Sequence, residues 1–488
     1  MKFKQKLILL VTLSTLATRC IAADNNSELT EARSTLNDQQ SVAVTIYNSN
    51  LALVKDTRKV QLKSGNNTLA LRDVSAQIRP ETALLRSINA PSSLTLLEQN
   101  FDFDLLTPEK LLEKYVGKMV SLVKTHPTTG TETSEQATVL SANKGVVLKV
   151  GNRIETGVAA NRIVFDDVPA NLRDRPTLVT QINNKGTTDQ TVELSYLTGG
   201  LGWKADYVAE LNNKEDALDL SGWVTLTNTS GASYKNAKLQ LVAGDVNRVQ
   251  SNTVDYLRAR RNTGVVAAPI VAIDMAEETL LEYHLYTLDR PTTIAENQTK
   301  QVALLSAGSV PVRKEMLLYG DQNYYLQQYG VIGNKLKVSV FVEFDNKEAS
   351  KLGLPLPEGI MRVYKKDSTG NAQFVGEDRV DHTPKNETVR LKLGEAFDVT
   401  ADKKQTDFKI LPRPNKQNQL YESAFEYTLK NAKKEMVTVT VQEPIGGEWK
   451  ILNESHAHTK ANSHLAVWKI DVPAEGNTTL SFRAQVKY

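Results

Sequence analysis

The sequence predicts a mainly β protein: several antiparallel β-sandwich modules, a small inserted β-barrel and one short helix. Two observations predict the sheets and a third predicts the helix. Apolar residues alternate with polar ones in many short runs, as at Val42, Val44 and Ile46, Leu336 to Phe344, Val437 to Val441 and Leu480 to Val486. Period two places them on one strand face. Turn-forming strings such as Ser64-Gly65-Asn66-Asn67 and Ser230-Gly231 punctuate the runs, as packed antiparallel sheets require. One segment breaks the alternation. Thr107 is a cap, Pro108 suits the first helical position, Glu109 complements the dipole, Leu111, Leu112 and Tyr115 form a stripe, and Gly117 ends it.

Taken from the N-terminus, residues 1–22 read as a secretory signal. Lys2, Lys4 and Lys6 precede an apolar run, Leu7 to Ala17, and Cys20-Ile21-Ala22 supplies small residues, so cleavage is expected after Ala22. That run is shorter than the roughly 20 residues of a membrane helix. A lipoprotein signal wants Leu and a small residue where Ala17 and Arg19 stand, so lipid anchoring is not expected. The expected location is the periplasm or outside the cell. Cys20 is the only cysteine of the chain; its removal excludes disulfides, thiol catalysis and cysteine metal sites.

The 59 basic residues against 56 acidic ones include Lys2, Lys4, Lys6 and Arg19 of the signal, which holds no acid, leaving 55 against 56. A near-neutral mature chain has no global electrostatic drive toward nucleic acid or anionic lipid. The 488 residues suit about three or four domains. Residues 23–40 read as a flexible lead-in, 41–106 as an N-terminal β module, and 107–169 as the helix plus the small barrel, whose short strands are joined by tight turns. Residues 170–345 read as a central sandwich with a long excursion at 250–273, and 346–488 as a C-terminal sandwich.

The most distinctive stretch runs from Tyr196 to Asn247. It contains Thr198-Gly-Gly-Leu-Gly-Trp-Lys-Ala-Asp-Tyr207, then Leu220-Ser-Gly-Trp-Val-Thr-Leu-Thr-Asn228, then Gly244-Asp245-Val-Asn247. This block resembles the bacterial domain-of-unknown-function 4139 family, related to mucoidy-inhibitor-A-type proteins. Thr45-Ile-Tyr-Asn48, Leu51-Ala-Leu-Val54, Tyr283-His-Leu-Tyr286 and Lys300-Gln301 extend the resemblance. It implies an exported or envelope-associated β-rich protein with no assigned reaction. The long coiled-coil-like segment of mucoidy-inhibitor proteins has no counterpart in sustained heptads here.

Read from the residues, Gly199, Gly200 and Gly202 suit a turn or bulge entering a strand, and Gly244-Asp245 suits a turn. Asp206 belongs to the same structural motif. Trp203, Ala205 and Tyr207 share one strand face, Lys204, Asp206 and Val208 the other, and Trp223 with Thr225 opposes Leu220 and Val224. Trp203, Tyr207 and Trp223 are candidates for a sugar- or peptide-stacking platform; core packing is the plainer reading. His456, His458 and His464 are candidate metal ligands if residues 459–463 form a hairpin loop that sets His464 opposite His458; a solvated hairpin is the plainer reading. Glu98, Asn100, Asp102 and Asp104 share a strand face that suits acid–base chemistry or calcium, or simply a wet strand face. His284 reads as a structural histidine.

No Gly-x-Ser-x-Gly, phosphate-loop or His-Glu-x-x-His string occurs, so those enzyme classes lack their motifs, and no cofactor is expected. The alternation up to Tyr488 resembles an outer-membrane barrel end, but sparse aromatics and interrupting charges favour a soluble sandwich; the same alternation suits pairing with a partner's edge. The expected function is a non-catalytic binding or assembly scaffold of the cell envelope, partnered by an envelope protein or glycan and not by nucleic acid. The alternative is a hydrolase of envelope glycans using the carboxylate face or a His-bound metal.

Overall fold

The computed structural model describes residues 31–488 except 49, 144, 160–161, 170–171, 245, 248–274 and 413–418. The signal with Cys20, the first part of the lead-in and the excursion at 250–273 lie outside the described residues. Those residues form five sheets and one α-helix, Pro108–Lys114. The helix begins as expected: Thr107 is extended at φ −127° and its side chain accepts from the Lys110 amide. Gly117 follows at φ 84°. Among the described residues no helix is long and apolar enough to cross a membrane.

Four of the five sheets are mixed, where purely antiparallel ones were expected, and the sheet that follows the helix is antiparallel throughout. Parallel pairs join Ala32–Ser34 to Gly65–Arg72, Gln39–Tyr47 to Tyr234–Ala243, Leu201–Leu211 to Gly359–Lys366, and Arg313–Tyr319 to Val437–Pro444. Parallel neighbours need long crossovers, so distant segments interleave, and period two is the same for both pairings. A four-stranded sheet runs Ala32–Ser34, Gly65–Arg72, Thr177–Asn184, Leu94–Asp102. An eight-stranded sheet runs Met275–Leu280, Tyr283–Leu288, Tyr234–Ala243, Gln39–Tyr47, Leu51–Gln61, Asp189–Thr198, Leu84–Ser87, with Thr292–Ile294 beside Tyr234–Ala243. Residues 41–106 and 170–345 therefore share both sheets. The expected lead-in enters too: buried Arg58 donates to the Ser34 carbonyl at 3.1 Å and to Asp56 at 2.7 Å, and Arg173 donates to Glu31 at 2.7 Å.

After the helix, five strands run Arg153–Thr156, Val147–Val150, Glu132–Ser141, Met119–Thr125, Ile163–Val164. They enclose a small core of Leu112, Val120, Leu122, Val139 and Leu148. This sheet is open, which corrects the expected barrel. Closure requires the two edge strands to pair, and here they have only four and two residues, too little ladder to meet.

A second five-stranded sheet runs Gln298–Pro311, Ala217–Asn228, Leu201–Leu211, Gly359–Lys366, Ala372–Val380. Its inner face shares one core with the four- and eight-stranded sheets, bringing Trp203, Tyr207 and Val224 together with Val44, Ile46 and Leu241. The nine-stranded C-terminal sheet runs Glu448–Glu454, Gly476–Lys487, Leu420–Asn431, Thr388–Leu411, Val331–Asp345, Arg313–Tyr319, Val437–Pro444, Leu465–Val472, Thr459–Asn462. It curls until its ends face each other, stacking Trp468 on Phe482 at 4.5 Å. The terminal strand is paired on both sides, so the partner-edge role its alternation suggested is already filled within the chain. Two long strands serve both cores. Val338, Val399 and Ala401 enter the C-terminal core, while Val342, Phe344, Val389 and Leu391 of the same strands enter the larger one.

Inside the curled sheet lies an ion pair. Lys403 and Glu443 are 2% and 0% exposed, and the Lys403 Nζ donates to Glu443 Oε1 at 2.7 Å. The Tyr325 hydroxyl donates to Oε2 at 2.7 Å, and Tyr427 donates to Oε1. The ammonium lies 4.5, 5.1 and 4.8 Å from the ring centres of Tyr324, Phe425 and Tyr427, so aromatic faces replace part of its lost hydration. Buried asparagines close strand ends by one repeated device. Asn228 shares its amide hydrogens among the carbonyls of Ala232, Ile294 and Ala295 while accepting from the Ser230 amide. Asn431 does the same with Glu435, Val472, Pro473 and Lys433. Each carboxamide satisfies carbonyls that a tight strand end leaves unpaired.

Candidate functional site

The hairpin of Leu201–Leu211 and Ala217–Asn228 decides which side chains meet. Its register sets Trp203 opposite Leu226 and Tyr207 opposite Gly222 on one face, and Lys204 opposite Thr225 and Asp206 opposite Trp223 on the other. On the core face Trp203 is buried and its Nε1 donates to the Val242 carbonyl at 3.3 Å. Tyr207 is fully buried and donates to the Pro357 carbonyl at 2.8 Å. Trp223, 40% exposed, points the other way. The three aromatics thus do not form one platform. Alternation assigned the faces within each strand, but only pairing register relates one strand's faces to the next.

What the open face does assemble is a mixed aromatic and charged surface centred on Trp223. The parallel strand Gly359–Lys366 sets Ile360 beside Asp206, Arg362 beside Val208 and Tyr364 beside Glu210. The last strand adds Glu377 opposite Arg362 and Phe374 opposite Tyr364, with those two rings 5.7 Å apart. Arg362 donates to Asp206 at 3.0 Å, Thr225 donates to the other Asp206 oxygen at 2.7 Å, and Gln301 donates to Thr225 at 3.1 Å. Arg362 also pairs with Glu377 at 3.2 Å. Burial pushes the Asp206 carboxyl up, but the bonds from Thr225 and Arg362 and the charge of Lys204 outweigh it, holding the group below its ordinary value. Asp206 is therefore ionised at neutral pH and locked as an acceptor. Such a face offers an indole surface flanked by fixed donors and acceptors, the equipment of recognition. Arg362, Glu377 and Gln301 arrive on other strands, so nothing local to Trp203–Trp223 points to them; Gln301 lies in the Lys300-Gln301 string of the family resemblance, while Arg362 and Glu377 carry only the alternation of their own strands.

The glycines position this hairpin. Gly200, at φ 76°, has its amide held by Asn50 Oδ1 at 2.7 Å. Gly199 packs on Gln77, and the Gly202 side faces open space. Gly244, at φ 120°, lies against the Tyr283 ring; Asp245 lies outside the described residues.

The other candidates come apart. Thr459–Asn462 is a strand paired with Leu465–Val472, Thr459 opposite Val467, so the chain turns at residues 463–464 where a five-residue loop was expected. His464 sits in that turn, its amide donating to Asn462. His458 lies 2.9 Å from Glu454 between the rings of Trp449 and Trp468, and His456 contacts Ser455. Among the described residues no three His, Cys, Asp or Glu gather as a metal set. The strand Leu94–Asp102 ends before Asp104, so Glu98, Asn100, Asp102 and Asp104 do not share one strand face; Asp102 pairs with Arg173 at 2.9 Å, Asp104 with Lys114 at 2.9 Å, and Glu98 accepts from Asn100. His284 contacts Glu277 at 2.7 Å.

A further cluster had no sequence signal. Glu215, in the turn of the hairpin, bridges Lys314 and Lys365 at 2.5 Å each. Burial pushes its carboxyl up, but hydrogen bonds and charge from the two lysines bring it down to about 2. A carboxyl lowered on folding stabilises fully above its unfolded value of 4.5 and loses that contribution as pH falls through about 2. Thermal melts should show Glu215→Gln less stable than the parent at pH 6, with the gap closing toward pH 2.

With this geometry in view, the comparison with known families is decisive. The model described as "Domain of unknown function (DUF4139)" matches residues 192–488. The chain belongs to this family. No curated protein matches it. The DUF4139 segment contains the whole open face and the nine-stranded sheet. It begins inside the strand Asp189–Thr198, whose partner Leu51–Gln61 lies outside it, as do the strings Thr45–Asn48 and Leu51–Val54. The preceding residues complete a sheet that the DUF4139 segment shares.

Proposed function

We propose that this DUF4139 protein is an exported, non-catalytic binding or assembly scaffold of the cell envelope, with the open face around Trp223 as its recognition surface. In finer architecture we read its stacked sheets as sandwich-type modules. The observation that supports the reading is the exposed Trp223 indole held in register beside the Asp206–Arg362–Glu377 ladder. An exposed indole among pre-ordered polar groups suits the apolar face and hydroxyls of a glycan, or an aromatic anchor on an envelope protein. The hydrolase reading has less support, since Asp102 and Asp104 are tied to cations, Glu98 accepts from Asn100, and His456, His458 and His464 do not gather as a metal set among the described residues. General acid–base work needs a group that exchanges its proton near the working pH.

The test is a photo-crosslinker at Val208 in the full-length protein, with fractionation of the cells and mass spectrometry of the adducts. Trp223→Ala removes a half-exposed side chain, so it should cost only about 1 kcal/mol of stability or less, while the captured envelope component is lost. Retention of the same adduct by Trp223→Ala would remove this face from the function. Recovery of the protein in the cytosol alone would remove the envelope role.

A further inference from the structure

The two hydrophobic cores meet where Val331–Asp345 and Thr388–Leu411 pass from one to the other, and the ladder there is irregular. Register shifts fall between Lys337 and Ser339 and between Val340 and Phe341, and Gly394 sits at φ 146°. Beside this break is a cavity of about 190 Å³, walled by Leu211, Val340, Val342 and Leu393. Val375 extends this apolar part, Glu395, paired with Lys392 at 3.2 Å, lines the cavity as well, and Lys314 and Lys365 line it beside Glu215. The cavity opens to solvent and is larger than a single water needs.

The two ammonium groups come from different sheets and hold one oxygen each of a single carboxylate, that of Glu215. Glu215 is delivered from a turn at φ 59°, a left-handed conformation that a non-glycine residue holds only where its surroundings fix it. Two lysines spaced for one carboxylate, beside an unfilled and partly apolar wall, form a head-and-tail site whose head position is taken by the chain's own acid.

We propose that this seam cavity binds a small amphipathic monocarboxylate. Its head replaces the Glu215 carboxylate between Lys314 and Lys365, and its short aliphatic tail fills the space along Val342 and Leu393. Binding frees the Glu215 turn from the C-terminal sheet, so occupancy exchanges an internal clamp between the two cores for a ligand-mediated one. The site is separate from Trp223 and stands whether or not the open face is the recognition surface.

Calorimetric titration of the full chain with octanoate tests it, with octanol and inorganic phosphate as comparison probes. Saturable binding of one octanoate per chain is expected. Glu215→Gln, which removes the competing acid, should bind about tenfold more tightly, and Lys365→Gln should bind weakly or not at all. Octanol should lack the head contact and phosphate the tail contact. Octanol binding as well as octanoate, phosphate displacing octanoate at equal concentration, or no saturable octanoate binding by the parent protein would each overturn the proposal. The parent protein alone is enough to refute it, so poor folding of a variant offers no shelter.

Discussion

Lys403→Met should be among the most destabilising single changes in this protein, costing about 3–5 kcal/mol. The substitution keeps volume and removes the cation, leaving the Glu443 carboxylate at 0% exposure with only hydroxyl donors. A buried charge without its counter-ion costs far more than the intact pair contributes, because desolvation is no longer offset. The double variant Lys403→Met/Glu443→Gln should recover much of the loss, since a neutral amide can still serve the Tyr325 and Tyr427 hydroxyls. Urea melts of the two single variants and the double variant form the required cycle. Additive losses would show that the two groups do not act as a pair.

Gly200→Ala should be nearly as damaging, by about 3 kcal/mol. The position is at φ 76°, and an added Cβ would lie 2.5 Å from the Ser230 Cα and 2.7 Å from its nitrogen. Both are backbone atoms of a loop that is itself fixed, the Thr229 amide donating to the Gly200 carbonyl at 2.7 Å and the Ser230 carbonyl accepting from the Ala76 amide at 2.8 Å. Neither side can yield cheaply. Gly202→Ala is the matched comparison, because a Cβ there meets nothing within 4 Å, and its loss should be well under half as large. Equal effects at the two positions would refute the argument from close approach.

These two sites also mark how far the sequence could be read. Gly199 and Gly200 were legible as a turn entering a strand because that inference is local. The helix at Pro108–Lys114 was legible for the same reason: cap, dipole and stop signals all lie close together in the chain. The split of Trp203 and Tyr207 from Trp223 was half legible, since each strand's faces followed from alternation while the register between strands did not. The histidine hairpin failed on one detail, the turn position, which places His464 in the turn itself and away from His458. Closure of the small barrel and the parallel pairings depend on which strands find each other over long separations, and period two is blind to that. Lys403 and Glu443 looked like ordinary polar positions because nothing local announces that a curled sheet will bring them together.

The interleaving of the eight-stranded sheet has a consequence in time. Thr45 and Gln240 lie in neighbouring strands yet are 195 residues apart. During synthesis the hairpin of Gln39–Tyr47 and Leu51–Gln61 can form early, but one edge waits for Asp189–Thr198 and the other for Tyr234–Ala243. Contacts this distant close slowly, and until they do, two apolar strand edges stand open to any passing chain. The eight-stranded sheet is thus completed only after Tyr234–Ala243 has been made, and those two edges are where the young chain is open to mispairing.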